Sequence, residues 1–218
     1  MQDISEDIRV YKDRIRIFFI LYFFSENYND PRYPSLKKVF RTEVKLQKID
    51  FLLRNPDYLA YELLALAKTN QADKSEIKKI IKNIVTSREP VLRKLEMERF
   101  LFGAWEYIDD VIAFLDSFGL IQFDSNKNSR LYTIDKQYFI TEFAINKMTK
   151  LHNDFGGLQW YAERCELIKE YFGHFLGSQL KAMQYKIDEY ANTIYNEYIQ
   201  DIQDKVKNEF YNLYQEQL

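Results

Sequence analysis

Cysteine and histidine are nearly absent from this 218-residue chain. Cys165 is the single cysteine, and the two histidines are His152 and His174. One cysteine cannot form an intramolecular disulfide, so the composition indicates a reducing compartment, and we expect a cytoplasmic protein. The three side chains have no spacing typical of a zinc site, and no signature around the thiol points to a Cys-His nucleophile. We therefore expect neither a metal site nor catalysis by Cys165.

Glycine and proline are also scarce, with six and four residues. Sandwiches and barrels need a turn signal about every 8–12 residues, so this supply is too small for them. The chain contains neither G-x-x-x-x-G-K-[ST] nor G-x-G-x-x-G, the glycine-rich turns that hold phosphates. We expect no nucleotide hydrolysis by this chain and no cofactor.

Long hydrophobic runs are missing as well. The membrane candidate is the run IFFILYFF at 17–24, which is much shorter than the roughly 18–20 residues that a membrane-spanning helix requires. Acidic residues precede the run and no small-x-small cleavage pattern follows it, so it does not resemble a signal peptide. The sequence predicts a buried helix here and no membrane partner.

Hydrophobic residues at helical spacing are abundant, and they predict a mainly α fold. The N-terminal helical part, 1–72, is expected to contain helices at 5–27, at about 39–53 and at 58–68. In the second of these, Val39, Phe40 and Val44 begin the apolar side. Asp73 and Glu76 resemble a capping pair, which predicts that the next helix begins there.

The middle region, 73–152, has the order of a winged helix. A helix at 104–118 is followed by Gly119, and glycine readily adopts the left-handed backbone conformation that often ends a helix. Strands are predicted at 120–123 and 131–134, joined by a polar turn at 124–130, and a further helix is predicted from Asp135. A helix followed directly by a β-hairpin predicts a winged-helix-like domain.

The C-terminal extension, 153–218, has neither glycine nor proline after residue 177. Apolar residues recur there every three or four positions, which predicts one long helix at 178–218. Such a helix needs cover for its apolar side, and we predict that a partner binds it. The alternative is that this side packs on the chain's own core. The predicted partner-binding residues are Tyr190, Ile194, Tyr198, Ile202 and Val206.

Neither sign of charge dominates: 31 basic and 33 acidic residues give a net charge of −2. The stretch 100–126 contains Asp109, Asp110 and Asp116 and no Lys or Arg. A helix of this charge repels DNA phosphates, so we predict that these three residues bind a protein partner. Lys127 and Arg130, at the tip of the hairpin, are the candidates for a weak nucleic-acid contact.

One pattern imitates a nuclease. Asp57, followed by Glu76 and Lys78, has the acidic and basic letters of the restriction-type signature. That chemistry places its metal-binding carboxylates on adjacent strands, whereas Glu76 and Lys78 lie in a helical pattern and do not share a face. The pattern is therefore interpreted as accidental, and the chain is predicted not to be an enzyme.

Residues 45–63, KLQKIDFLLRNPDYLAYEL, and the winged-helix-like region resemble the middle components of bacterial ABC-three-component systems. The Lamassu antiphage systems contain a related small subunit. The resemblance extends over roughly 15–148. It implies a non-catalytic adaptor that links an SMC/Rad50-like ATPase to an effector, commonly a nuclease, in defence against phages or plasmids.

Two other classes of protein remain open. A free-standing winged-helix transcriptional regulator would need a basic recognition surface. A nuclease would need metal-dependent activity in the isolated chain.

Overall fold

The computed structural model describes residues 6–89, 93–100, 103–127, 133–154 and 156–218. The chain forms two compact units. Unit 1 consists of Met1–Leu46 and Tyr107–Gly173, and unit 2 of Gln47–Glu106 and His174–Leu218. The predicted division into 1–72, 73–152 and 153–218 stays a prediction.

The described part of the chain is mainly helical, with short antiparallel strands. In chain order its elements are α1 (Glu6–Phe24), β1 (Glu26–Asn27), β2 (Leu36–Arg41), α2 (Glu43–Arg54), α3 (Pro56–Lys68), α4 (Lys74–Thr86), β3 (Arg99–Phe100), β4 (Gly103–Ala104), α5 (Asp109–Ser117), β5 (Ile121–Lys127), β6 (Thr133–Thr141), α6 (Glu142–Asp154), α7 (Gly156–Phe172), α8 (Gly177–Gln184), α9 (Asp188–Ala191) and α10 (Gln203–Tyr214). The prediction of a mainly α chain is confirmed.

Unit 1 is built around an antiparallel sheet with the order β1-β2-β6-β5. Helix α1 packs against α7 and contacts both α5 and the sheet. The hydrophobic run 17–21 is buried all round, as expected for a core helix. Within the described residues, the structure has no helix that is both long and apolar enough to span a membrane.

Strand β2 corrects the prediction that Val39 and Phe40 begin a helix. Leu36, Val39 and Phe40 are all buried, and this spacing imitates a helical face. A register shift between Leu36 and Lys38 breaks the alternation of side chains, and both faces of the strand are covered. The i, i+3, i+4 pattern therefore comes from an irregular strand that is buried on both faces.

Strand β6 corrects the prediction of a helix from Asp135. β6 lies between β2 and β5, and its consecutive residues Tyr138, Phe139 and Ile140 are all buried, so both faces of the strand are covered. A central strand covered on both faces shows a continuous apolar run, which periodicity does not separate from a helix. The helix begins at Glu142, where the Thr141 hydroxyl accepts a hydrogen bond from the Ala144 amide at 3.1 Å.

Unit 2 has a helical core in which α3 packs against α4 and α10. Asp73 caps α4, as predicted, by accepting a hydrogen bond from the Glu76 amide at 2.8 Å. The predicted helix at 58–68 is confirmed, although it begins at Pro56. The core of unit 2 contains Phe51, Tyr58, Leu59, Leu63, Ile77, Ile81, Ile84, Tyr190, Val206 and Phe210.

The prediction of one long helix at 178–218 is wrong. The region forms α8, α9 and α10, and residues 192–202 between the last two are not helical. In this connection Asn196 has φ +65°. The amide of Arg99 donates to the carbonyl of Glu197 at 3.0 Å, and the amide of Ile199 donates to Met97 at 3.0 Å. The backbone exchanges helical hydrogen bonds for pairing with residues 97–99.

Candidate functional site

Helix α5 presents the acidic residues that the sequence singled out. Ile112 and Leu115 bury one side of the helix, and Asp109, Asp110 and Asp116 are exposed. The helix begins at Asp109, five residues later than predicted. Gly119 ends it with φ +68°, and its amide donates to the Asp116 carbonyl at 2.9 Å, as the sequence indicated.

The negative charge of this helix is only partly compensated. Lys136 lies 3.5 Å from a carboxylate oxygen of Asp109, but it lies closer, at 2.5 Å, to Glu43. The Asp116 carboxylate accepts a long hydrogen bond, 3.4 Å, from the amide of Phe123. Among the ion pairs of the described residues, none involves Asp110 or Asp116. The exposed side of α5 is therefore a local source of negative potential.

Exposed aromatic rings lie at both ends of α5. Tyr107, before the helix, is 85% exposed, and Phe118, after it, is 62% exposed. The Phe118 ring centroid is 4.4 Å from that of Phe114, over which the Arg14 guanidinium lies at 3.6 Å. We call Tyr107, Asp109, Asp110, Asp116 and Phe118 the acidic-aromatic segment. It combines apolar area with carboxylates that are only partly compensated, a composition suited to a protein partner with a basic surface.

The two basic residues of the hairpin tip give little structural information. Lys127 is the last residue of β5, and its side chain is not described. Arg130 lies outside the described residues. Their weak contact with nucleic acid stays a prediction.

The predicted partner-binding side of the C-terminal region divides into two groups. Tyr190, Ile202 and Val206 are buried in unit 2, so the prediction that they face a partner is wrong. Ile194 is 64% exposed and Tyr198 is 48% exposed. Ile194 and Tyr198 lie in the non-helical connection between α9 and α10, so the five residues do not share one helical face. We call Ile194, Tyr195 and Tyr198, all exposed, the 194–198 patch.

A buried lysine is the feature that the sequence did not reveal. The ammonium of Lys48 donates to the carbonyl of Ala104 at 2.9 Å and to the hydroxyl of Tyr190 at 3.2 Å. The Tyr190 oxygen also accepts a hydrogen bond from the Ala104 amide at 2.7 Å. Burial lowers the pKa of Lys48 to about 7, and the positive charge of Lys181 acts in the same direction.

Lys48, Ala104 and Tyr190 form a hydrogen-bonded cluster, the Lys48 cluster, in the interior of unit 2, where a substrate cannot reach it. Lys48 and Tyr190 have no exposed surface. The one sequence signal for this cluster is the position of Lys48, three and four residues before Phe51 and Leu52 on the apolar side of α2. A lysine at such a position is usually read as the edge of a solvated face, because its stem can reach water.

A second polar cluster holds the end of α2. The Arg54 guanidinium pairs with Glu106, lies 3.5 Å from Asp50, and donates to the carbonyls of Leu95, at 3.1 Å, and Glu96. Arg54 and Asp50 are almost fully buried. All these contacts lie within unit 2, and they satisfy backbone carbonyls of a connecting segment.

No family model matches the chain, and comparisons with curated proteins and with solved structures give no match. Among the described residues, no three His, Cys, Asp or Glu side chains form a group that could hold a metal ion. The acidic-aromatic segment and the 194–198 patch both combine exposed aromatic rings with neighbouring exposed side chains, and they are the surfaces considered as partner-binding sites.

Proposed function

We propose that this chain is a non-catalytic adaptor that binds two other proteins. The observation that carries the proposal is that each unit has its own exposed apolar surface. Unit 1 has the acidic-aromatic segment, and unit 2 has the 194–198 patch. Exposed aromatic clusters are typical of interaction surfaces, because burying their area on a partner contributes about 25 cal/mol per Å². An adaptor needs two such surfaces.

The partner of the acidic-aromatic segment should be basic. Asp109, Asp110 and Asp116 favour a surface rich in Lys or Arg through complementary charge. Tyr107 and Phe118 would supply the apolar contacts at the two ends of the helix. Tyrosine and phenylalanine are enriched in protein interfaces, where the tyrosine hydroxyl can remain hydrated.

Within the resemblance to ABC-three-component and Lamassu middle components, the two partners would be an SMC/Rad50-like ATPase and an effector such as a nuclease. The complex would act in the cytoplasm against phages or plasmids. The proposed chemistry belongs to those partners, and this chain would supply their attachment. Contact with DNA would then occur weakly or through the assembled complex.

The order β2, α5, β5, β6, with β2 and β5 on either side of β6, supports the proposal that unit 1 contains a winged-helix-like segment. This topology also keeps the free-standing transcriptional regulator as the second candidate function. The charge of α5 argues against it, because the helix that would enter the major groove has no cation. We expect the isolated chain to bind duplex DNA no more tightly than about 10⁻⁶ M at physiological salt.

A capture experiment from the native host tests the adaptor proposal. Tagged wild-type chain should co-purify with a coiled-coil ATPase and with a second protein. Tyr107→Ser with Asp110→Ser should reduce the recovery of one partner at least tenfold, and Ile194→Ser with Tyr198→Ser should reduce that of the other. Tyr211→Ser is the matched control, because Tyr211 is an exposed tyrosine outside both surfaces.

Three results would contradict the proposal: no partner is captured, neither double variant loses a partner, or both lose the same one. Tight and sequence-selective binding of DNA by the isolated chain in a mobility-shift assay would favour the regulator instead. Circular dichroism of each variant checks that the fold is retained.

A further inference from the structure

Unit 2 contains a cavity of about 360 Å³. Small-molecule sites usually measure about 300–1,000 Å³, so a compact organic molecule fits this volume. The walls come from α3, the residues after it, Phe175, and the segment from Met183 to Ile187. The lining residues are Tyr61, Glu62, Ala65, Leu66, Thr69, Gln71, Phe175, Met183, Lys186 and Ile187.

Glu62 is the unusual member of this lining. Its side chain is only 4% exposed, and its Oε1 atom is buried without a hydrogen-bond partner. No hydrogen bond or ion pair of the described residues ends on its carboxyl group. An ionised carboxylate in an apolar site without a partner costs several kcal/mol, so such groups are normally paired or neutral.

The environment of Glu62 shows what kind of partner is missing. Burial raises the pKa of Glu62 to about 7, and the charge of Lys186, which also lines the cavity, lowers this pKa only in part. The polar neighbour Thr69 is already engaged, because its hydroxyl donates to the carbonyls of Ala65 and Leu66 at 3.0 and 3.2 Å. The Oε1 atom of Glu62 therefore has no hydrogen-bond donor, and a cation beside it would compensate the charge of the carboxylate.

We propose that this cavity binds a small organic amine, whose ammonium pairs with the Glu62 carboxylate and whose apolar body contacts Phe175 and Met183. Charge-assisted hydrogen bonds to a carboxylate are about twice as strong as neutral ones, and the aromatic ring of Phe175 also favours a cation close by. This inference concerns unit 2 alone and does not depend on the adaptor proposal.

The binding should depend on pH, because the ammonium pairs with the ionised form of Glu62. A group with a pKa of about 7 is about one-tenth ionised at pH 6 and about nine-tenths ionised at pH 8. Affinity for an amine that stays charged over this range should therefore increase about tenfold from pH 6 to pH 8. Lys186 and Tyr61 are the other titratable side chains in the lining.

The experiment uses the full chain and 2-phenylethylamine in isothermal titration calorimetry at pH 8. 2-Phenylethanol, of similar shape and without charge, and phenylacetate, with the opposite charge, are the comparison probes. We expect the amine to bind at least tenfold more tightly than either one. Glu62→Gln should remove this preference and leave the affinity for the alcohol unchanged. Glu76→Gln is the matched control, at an exposed glutamate of unit 2.

The proposal is overturned by four results. The first is no binding of the amine up to about 10 mM, and the second is equal or tighter binding of the alcohol or of phenylacetate. The third is an unchanged affinity of Glu62→Gln for the amine. The fourth is an affinity of the wild-type protein for the amine that does not rise from pH 6 to pH 8. The last measurement needs no variant, so it stands even if Glu62→Gln folds poorly.

Discussion

At Gly103 the backbone has φ +92°, and a Cβ atom at this position would overlap the hydroxyl of Tyr190 and lie 3.0 Å from the ammonium of Lys48. Both groups are buried and hydrogen-bonded, so neither can move away without losing a partner. Two costs combine here, because an L-residue is strained at this φ and the side chain has no space.

We predict that Gly103→Ala lowers the free energy of unfolding by about 2–4 kcal/mol. Gly119→Ala is the control: Gly119 also has positive φ, +68°, but nothing lies within 4 Å of its Cβ position. It should cost only the backbone strain, about 1 kcal/mol. Urea denaturation of both variants measures the two effects. Equal losses would mean that the Lys48 cluster does not restrict residue 103.

Glu62 should make stability depend on pH below neutrality. Its pKa is raised to about 7 in the folded protein, whereas an unfolded glutamate has an ordinary value near 4.5. The folded protein therefore holds the extra proton between these values, and stability falls as pH rises through the window. Lys48, with a lowered pKa, acts above pH 7 and in the opposite direction.

We predict that the free energy of unfolding of the wild-type protein falls by about 2 kcal/mol through Glu62 as the pH rises from 5 to 7. Glu62→Gln should not show this decrease. Asp57 also has a pKa raised by burial, so the comparison must be the difference between wild type and variant at each pH. Urea denaturation at pH 5, 6 and 7 provides it. Parallel curves for the two proteins would show that Glu62 keeps an ordinary pKa.

Residues with a local structural role were the easiest to predict from the sequence. Asp73 caps α4 and Gly119 ends α5, as expected, because both roles depend on neighbours within four residues. Lys48 and Glu62 were not predicted as buried groups. Lys48 is surrounded by Ala104 and Tyr190, and Glu62 shares its cavity with Phe175 and Met183. All four lie far away along the chain, and periodicity gives no information about them.

At the scale of elements, hydrophobic spacing predicted helices better than strands. The helices α1, α3 and α4 lie close to their expected positions, because apolar runs mark the first two and an amphipathic period marks α4. Strands β2 and β6 were read as helix because they are covered on both faces and because β2 contains a register shift. The register shift depends on pairing with a distant strand, and the cover depends on elements packed on the sheet, so the local pattern is ambiguous.

In the connection between α9 and α10, buried residues recur at helical spacing, but the backbone is not helical. Thr193, Ile199 and Ile202 are buried, which continues the pattern of α9 into α10. The absence of glycine and proline suggested that nothing would interrupt it. Asn196 does so by adopting a left-handed conformation, which asparagine tolerates better than most residues.

Substitution of Asn196 distinguishes this connection from a continuous helix. Its side chain is exposed, so the effect is mainly on the backbone. We predict that Asn196→Gly changes the free energy of unfolding by less than about 0.5 kcal/mol and that Asn196→Ala lowers it by about 1 kcal/mol. In a continuous helix the order would be reversed, since alanine stabilises a helix by about 1 kcal/mol relative to glycine. Urea denaturation of the two variants decides between these orders.

For the molecule as a whole, the arrangement of the chain was the least predictable feature. Each unit is assembled from two separate stretches, and unit 2 takes its core from α3 and α4 in one stretch and α10 in the other. A reading along the sequence favours consecutive segments, because it detects only local patterns and composition changes. Apolar spacing grouped the exposed Ile194 and Tyr198 with the buried Tyr190, Ile202 and Val206, because a local pattern does not show which side chains the fold covers.

The two-stretch assembly of unit 2 makes a specific prediction for a chain cut after residue 173. The fragment 1–173 retains both stretches of unit 1 and loses the second stretch of unit 2, His174–Leu218, which includes the buried Phe210 and Val206. In hydrogen exchange, α1 and β6 should stay protected, whereas α3 and α4 should exchange at least about 100-fold faster, a loss of about 3 kcal/mol. Adding the fragment 174–218 should restore their protection, and the same fragment with Phe210→Asp should not. Undiminished protection of α3 and α4 in 1–173 alone would mean that α10 is an accessory to the core of unit 2, and the two-stretch account would be wrong.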